Sequence, residues 1–217
     1  MGLTLVIGNK NYSSWSLRPW LAMKQFGLEF EEIRIPLYTP EAPAKIRHYS
    51  PSGKVPALLH DDLTIWDSLA ILEYLAEQFP DLNWLPQASR PRAIARSISA
   101  EMHSGFVALR ETLPMNIRAR FPGRGLTSAV QRDIDRITAI WRDCRQTYGG
   151  DGNFLFGEFA IADAMFAPVV LRFVTYNVSL DPVSRNYADA ILALAPLQDW
   201  IATSTDEPES IPGYDSN

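Results

Sequence analysis

Sulfur, clustered positive charge and long apolar runs are all scarce in this chain, and each scarcity removes a class of function. Cys144 is the only cysteine in 217 residues, which excludes an internal disulfide and a cysteine-built zinc site. Lys and Arg number 20 against 25 Asp and Glu, and they are scattered along the chain. Phosphate neutralisation needs a concentrated basic footprint, so the reading is no nucleic acid. No run approaches the ~18 apolar residues of a membrane span, so the reading is also no membrane. The opening MGLTLVIGNK has no basic flank and no small-residue cleavage site, which makes it a better first strand than a leader. A cytoplasmic location is the expectation from these features together.

What is present is enough apolar residue for a core, 47% of the chain, arranged in two contrasting halves. The first ~80 residues mix short β-type runs with helical ones. Leu3 to Ile7 reads as a buried strand, Ser16 to Phe26 as a helix ended by Gly27, and Phe30 to Ile35 as a second strand. A short helix is expected over Glu41 to His48. Two short strands follow around Ala57-Leu58-Leu59 and Thr64-Ile65-Trp66, across an Asp61-Asp62 turn. Asp67 to Phe79 repeats apolar residues at helical spacing. This order gives an α+β, thioredoxin-like plan: a mixed four-stranded sheet covered by helices.

The stretch from Pro80 to Ser89 contains two prolines and lacks periodicity, so residues 81–89 read as a linker between a domain of residues 1–80 and an all-α bundle over residues 90–217. In that bundle, long helices are expected over Pro91 to Arg120 with a break near Pro114, over Thr127 to Tyr148, and over Ile161 to Val178 with a bend at Pro168. Arg185 to Ile201 supplies the last helical material, and the polar segment from about residue 203 is expected to be a poorly packed tail.

Three short motifs carry chemistry. In Tyr12-Ser13-Ser14-Trp15-Ser16-Leu17-Arg18-Pro19, a proline is best tolerated in a first helical turn, so the helix is expected to begin near Ser16, capped by it. Ser13 then lies just ahead of the positive helix end, where an external thiolate would be favoured by the dipole and by a donated hydroxyl proton. Thioredoxin-like redox chemistry needs two cysteines here and finds serines. Gly53-Lys54-Val55-Pro56-Ala57 leads into a strand, and a cis proline there would leave the preceding backbone open to an extended peptide. Asp67-Ser68 at a helix start offers an acceptor for an ammonium group and donors for a carboxylate. Each motif alone is more often plain capping or turn chemistry; their joint order is what points to a ligand.

Taken together, the motifs resemble the glutathione transferase superfamily. Ser13-x-x-Ser16-x-Arg18 is similar to the serine motif of the zeta and theta classes, Lys54-Val55-Pro56 to their cis-proline element, and Asp67-Ser68-x-Ala70-Ile71-x-x-Tyr74-Leu75 to their γ-glutamyl-binding helix. Phe156 to Asp163 is similar to the segment that opens a buried helix with a Ser/Thr-x-x-Asp capping box in the family. Two positions depart from the pattern. Asp67 stands where Glu is more usual, and Ala160 replaces the capping hydroxyl, leaving Asp163 to act alone.

The resemblance implies glutathione as co-substrate, no metal, a homodimer, and transfer of the thiol to a small hydrophobic electrophile. Ser13 is the first choice for the catalytic hydroxyl, with Ser14 close behind and Tyr12 a smaller candidate. Ser13, Lys54, Val55, Pro56, Asp67 and Ser68 are the expected glutathione contacts. Tyr12, Trp15, Met102, His103 and Phe106 are the expected electrophile pocket, although core packing is the commoner explanation for Met102 and Phe106. Arg110, Arg118, Arg120 and Arg124 form a loose basic set that suits either an anionic substrate or a solvated face. Peroxidase chemistry, a maleylacetoacetate-type isomerisation, and glutathione or hydrophobic-ligand binding without catalysis remain as alternatives.

Overall fold

A computed structural model describes residues 2–215 of the chain. Its sheet is built from β1 (Leu3–Ile7), β2 (Glu31–Arg34), β3 (Ala57–His60) and β4 (Leu63–Trp66), in the order β2-β1-β3-β4. Strand β1 pairs parallel with β2 and antiparallel with β3, so the sheet is mixed. The helices α1 (Ser14–Gln25), α2 (Ala42–Tyr49) and α3 (Ser68–Gln78) complete this thioredoxin-like part. Val6, Ile35, Ala42, Ile46 and Ala57 form a small core under α2, while Leu3, Leu5 and Ile7 face the main core shared with α1 and α3. Alternation along β1 thus separates its side chains onto two faces, as strand geometry requires.

Helices α4 (Ser89–Ser104), α5 (Val107–Thr112), α6 (Ser128–Tyr148), α7 (Ile161–Tyr176), α8 (Pro182–Leu192) and α9 (Ala195–Thr205) make up the rest. Helix α7 is buried on all sides, as its nearly uninterrupted apolar sequence demands. No helix among the described residues is long and apolar enough to cross a membrane. Trp84 ties the two parts together: its carbonyl accepts from Ile161 N at 2.9 Å, its indole donates to Phe79 O, and its ring lies 4.3 Å from that of Phe26. Trp20 and Trp200 meet edge to face, with centroids 4.9 Å apart, and join α1 to α9.

Three expectations need correction. Helix α1 starts at Ser14 with Ser13 as its N-cap residue, and Pro19 lies inside it. Ser16 is drawn into the helix because its hydroxyl reaches back to accept from Gly8 N at 3.1 Å. The long helix expected from Pro91 breaks earlier than Pro114, at Gly105 and Phe106. Phe106 is left-handed (φ 55°), and a Cβ on Gly105 would lie 2.7 Å from Glu101 O. The segment after residue 203 is packed. Ser204, Glu207 and Ile211 are buried there, and Glu207 accepts from the backbone N–H groups of Lys10 (2.7 Å) and Asn11 (3.1 Å). Glu209 pairs with both terminal nitrogens of Arg34 at 3.0 Å. Polar side chains hold this segment down because the loop after β1 offers them unpaired backbone donors.

Candidate functional site

The start of α1 sits between two cavities that meet at Trp15 and Val55. The first, of about 580 Å³, is lined by Lys54, Val55, Pro56, Asp67, Ser68 and His103. It thus collects all of the expected glutathione contacts except Ser13. The Val55-Pro56 bond is cis, and the Val55 N–H and C=O make no hydrogen bond among the described residues. An extended peptide can pair with such a backbone.

Asp67 closes one end of this cavity from an uncommon conformation, φ 78° and ψ 131°. A non-glycine residue held there costs about 1–3 kcal/mol, and such positions concentrate at functional sites. Its Oδ1 caps α3 by accepting from Leu69 N (2.9 Å) and Ala70 N (3.3 Å), while Oδ2 lies 3.1 Å from His103 Nε2. The shorter side chain therefore still presents a carboxylate oxygen to the cavity. Ser68, buried next to it, accepts from Arg18 Nη1 at 3.4 Å. Arg18 is buried with its guanidinium 4.2 Å from the Trp15 ring centroid, and its Nε has no partner among the described residues. Burial, then the charges of Arg172 and Arg110, pull it down to about 9, so it stays charged at neutral pH.

The second cavity, of about 370 Å³, is lined by Tyr12, Ser13, Ser14, Trp15, Leu37 and Tyr38 on one side and by Val107, Arg110, Met115, Arg172 and Tyr214 on the other. Both serines line it, although each is largely buried. The Ser13 hydroxyl donates to Ser16 Oγ at 2.7 Å, and Ser14 Oγ accepts from Arg172 Nη2 at 3.1 Å. Tyr12 contributes its ring, while its hydroxyl donates to Asp215 and accepts from Arg118 at 3.0 Å. Burial, then that bond to Asp215, raises the Tyr12 hydroxyl above the ordinary phenol range, which suits a structural tie better than a thiolate partner.

The expected electrophile pocket is only partly assembled. Trp15 and Tyr12 line the second cavity, but Met102 and Phe106 are core residues that line neither. Their spacing suggested one helix face, but the chain breaks between them: Met102 lies on α4 and Phe106 caps α5, and each packs into the core. His103 belongs to the first cavity, against Asp67, with its ring 5.3 Å from that of Trp15. Of the basic set, Arg110 alone reaches the second cavity. Arg118 ties down the C-terminal segment by donating to Glu207 O and Glu209 O, and Arg120 donates to nearby carbonyls. Arg172, Tyr38 and Tyr214 line the cavity without having been expected. A lone arginine in the apolar run of α7 was the available signal for the first; the others lie in irregular segments that carry none.

Comparison with known proteins places this geometry in context. Residues 12–78 match the N-terminal domain family of glutathione S-transferases. The chain is 32% identical over 171 residues to a probable maleylacetoacetate isomerase of Caenorhabditis elegans, covering 78% of each. It is 31% identical over 192 residues to the maleylacetoacetate isomerase of Rattus norvegicus, covering 85% of each. A Burkholderia glutathione transferase homologue solved with bound glutathione superposes with a TM-score of 0.72 at 26% identity, over 95% of this chain and 100% of that one. On these matches, and with a mixed sheet followed by helices, the chain belongs to the glutathione S-transferase superfamily as a zeta-like member.

Proposed function

We propose that this glutathione transferase binds glutathione along Val55 in the larger cavity and holds its thiolate at the start of α1, for attack on an electrophile in the smaller one. The observation that carries the reading is the junction of the two cavities at Trp15 and Val55, with Ser13 and Ser14 beside it. The γ-glutamyl group, which bears an ammonium and a carboxylate, suits the Asp67 and Ser68 end. The peptide part suits the unpaired Val55 backbone. The sulfur then falls near the N-terminus of α1, where the helix dipole, a serine hydroxyl and the buried Arg18 favour the anion. Positioning and a lowered thiol pKa are the chemistry required, since a thiolate near neutral pH already attacks soft electrophilic carbon.

In this reading residues 1–80 bind glutathione, residues 81–89 connect, and the helices from residue 90 onward cover the electrophile. A homodimer, a cytoplasmic location and a detoxifying role belong to the same proposal, supported by family likeness. A second reading on the same site is isomerisation of a maleyl double bond, favoured by the names of the two relatives above. Calorimetry together with thiolate absorbance tests the binding half: bound glutathione should titrate at least about one pH unit below the ~8.5 of a free thiol. Binding without that shift would leave a ligand-binding protein and overturn the enzyme mechanism. Parallel assays with an aryl halide, cumene hydroperoxide and a maleyl substrate then separate transfer, peroxidase and isomerase activities.

A further inference from the structure

Two serines at the start of α1 compete for the sulfur, and their hydrogen bonds distinguish them. Ser13 donates its one hydroxyl proton to Ser16 Oγ at 2.7 Å, an oxygen that also accepts from Gly8 N at 3.1 Å. It therefore turns lone pairs toward the cavity, which repel an anion. Ser14 is in the opposite state. Arg172 Nη2 lies 3.1 Å from its oxygen, and a guanidinium can only donate, so the Ser14 proton remains to be given elsewhere.

Arg172 is held for this task. It is buried in α7, its Nε donates to Leu113 O at 2.8 Å, and no carboxylate pairs with it among the described residues. Its N–H groups are spent on fixed acceptors, Leu113 O, Pro168 O and Ser14 Oγ, which hold the guanidinium in one place. We infer that Ser14 is the catalytic donor to the glutathione sulfur and that Arg172 is its positioning residue, occupying the Ser14 lone pair and so aiming the O–H at the thiolate. The inference rests on the reading that the sulfur lies at the start of α1, and it assigns that site to a residue of the second half of the chain.

The test is the pKa of the enzyme-bound glutathione thiol, read from thiolate absorbance, in the wild type and in Ser13→Ala, Ser14→Ala, Arg172→Met, Arg172→Lys and the Ser14→Ala/Arg172→Met double variant. Ser14→Ala is expected to lower the thiolate fraction at neutral pH about tenfold, one pKa unit, with Ser13→Ala changing it less than about twofold. Arg172→Met should match Ser14→Ala, Arg172→Lys should recover part of the shift by restoring a donor, and the double variant should be no worse than Ser14→Ala alone. An Arg172→Met effect that persists in the Ser14→Ala background would mean that Arg172 acts through its field, overturning the positioning role. A large effect of Ser13→Ala with none from Ser14→Ala would overturn the choice of donor. Should Arg172→Met fail to fold, the two serine variants still decide the donor. Arg172→Lys against Ser14→Ala/Arg172→Lys then decides the positioning role: an Arg172→Lys loss that survives the removal of Ser14 overturns it, and one that disappears supports it. Failure of the glutathione reading itself is recognisable separately, as a wild type that binds no glutathione or leaves its thiol pKa unchanged.

Discussion

Replacing Asp163 by alanine removes the acceptor for two buried backbone donors, Ala160 N at 2.9 Å and Leu155 N at 3.2 Å. Asp163 and Leu155 are fully buried and Ala160 nearly so, so water cannot take over either bond. An orphaned buried donor costs about 1–3 kcal/mol, which puts Asp163→Ala at about 3–4 kcal/mol of lost stability. Burial also pushes the Asp163 carboxyl up to about 7, against the pull of these two backbone bonds. The sign follows from linkage. With the folded pKa above the unfolded value, the folded chain keeps a proton that the unfolded chain releases. The stabilisation is therefore complete below the unfolded value and is lost as pH rises toward 7. That window spans roughly three pH units at about 1.4 kcal/mol each, about 4 kcal/mol in all. Asp163→Asn retains one acceptor oxygen and cannot ionise. Urea denaturation of wild type and Asp163→Asn from about pH 4.5 to about pH 7.5 should show the wild type losing ground steadily against the variant. Parallel stability curves would refute the burial argument, and an Asp163→Ala loss under about 1 kcal/mol would refute the claim that both donors are orphaned.

Two further outcomes follow from the same kind of accounting. Glu207→Ala orphans the N–H groups of Lys10 and Asn11, and should cost about 2–3 kcal/mol in urea denaturation; a loss below about 0.5 kcal/mol would mean the C-terminal segment is not held as described. Asp67→Asn keeps a helix cap but removes the charge, so stability should change by less than about 0.5 kcal/mol while the glutathione Kd rises about tenfold by calorimetry; an unchanged Kd would remove Asp67 from the ammonium contact.

Much of the fold was legible because its signals are local. The β-branched run of β1, the helical spacing from Leu69 to Ala76 and the Gly149-Gly150 stop are each contained in a few residues. The Ser13, Val55 and Asp67 motifs were readable for the same reason: each is a short turn or helix start, and the structure brings them to two adjoining cavities. What escaped depends on distant partners. The segment after residue 203 looks solvent-loving in sequence, yet its glutamates meet backbone and arginine groups more than 170 positions away. Met102 and Phe106 are both apolar and buried, but periodicity reported neither the break between them nor whether they meet core or cavity. Arg172 stands out as a lone arginine in the apolar run of α7, but only the packing of α7 against α1 places it beside Ser14.

The arrangement of glutathione itself is the most direct thing to measure. A crystal structure of the protein with glutathione should show the cysteinyl backbone paired with Val55, the γ-glutamyl group at Asp67 and Ser68, and the sulfur within about 3.5 Å of the Ser14 hydroxyl. A tripeptide bound elsewhere, or a sulfur lying beyond reach of both Ser13 and Ser14, would contradict the account.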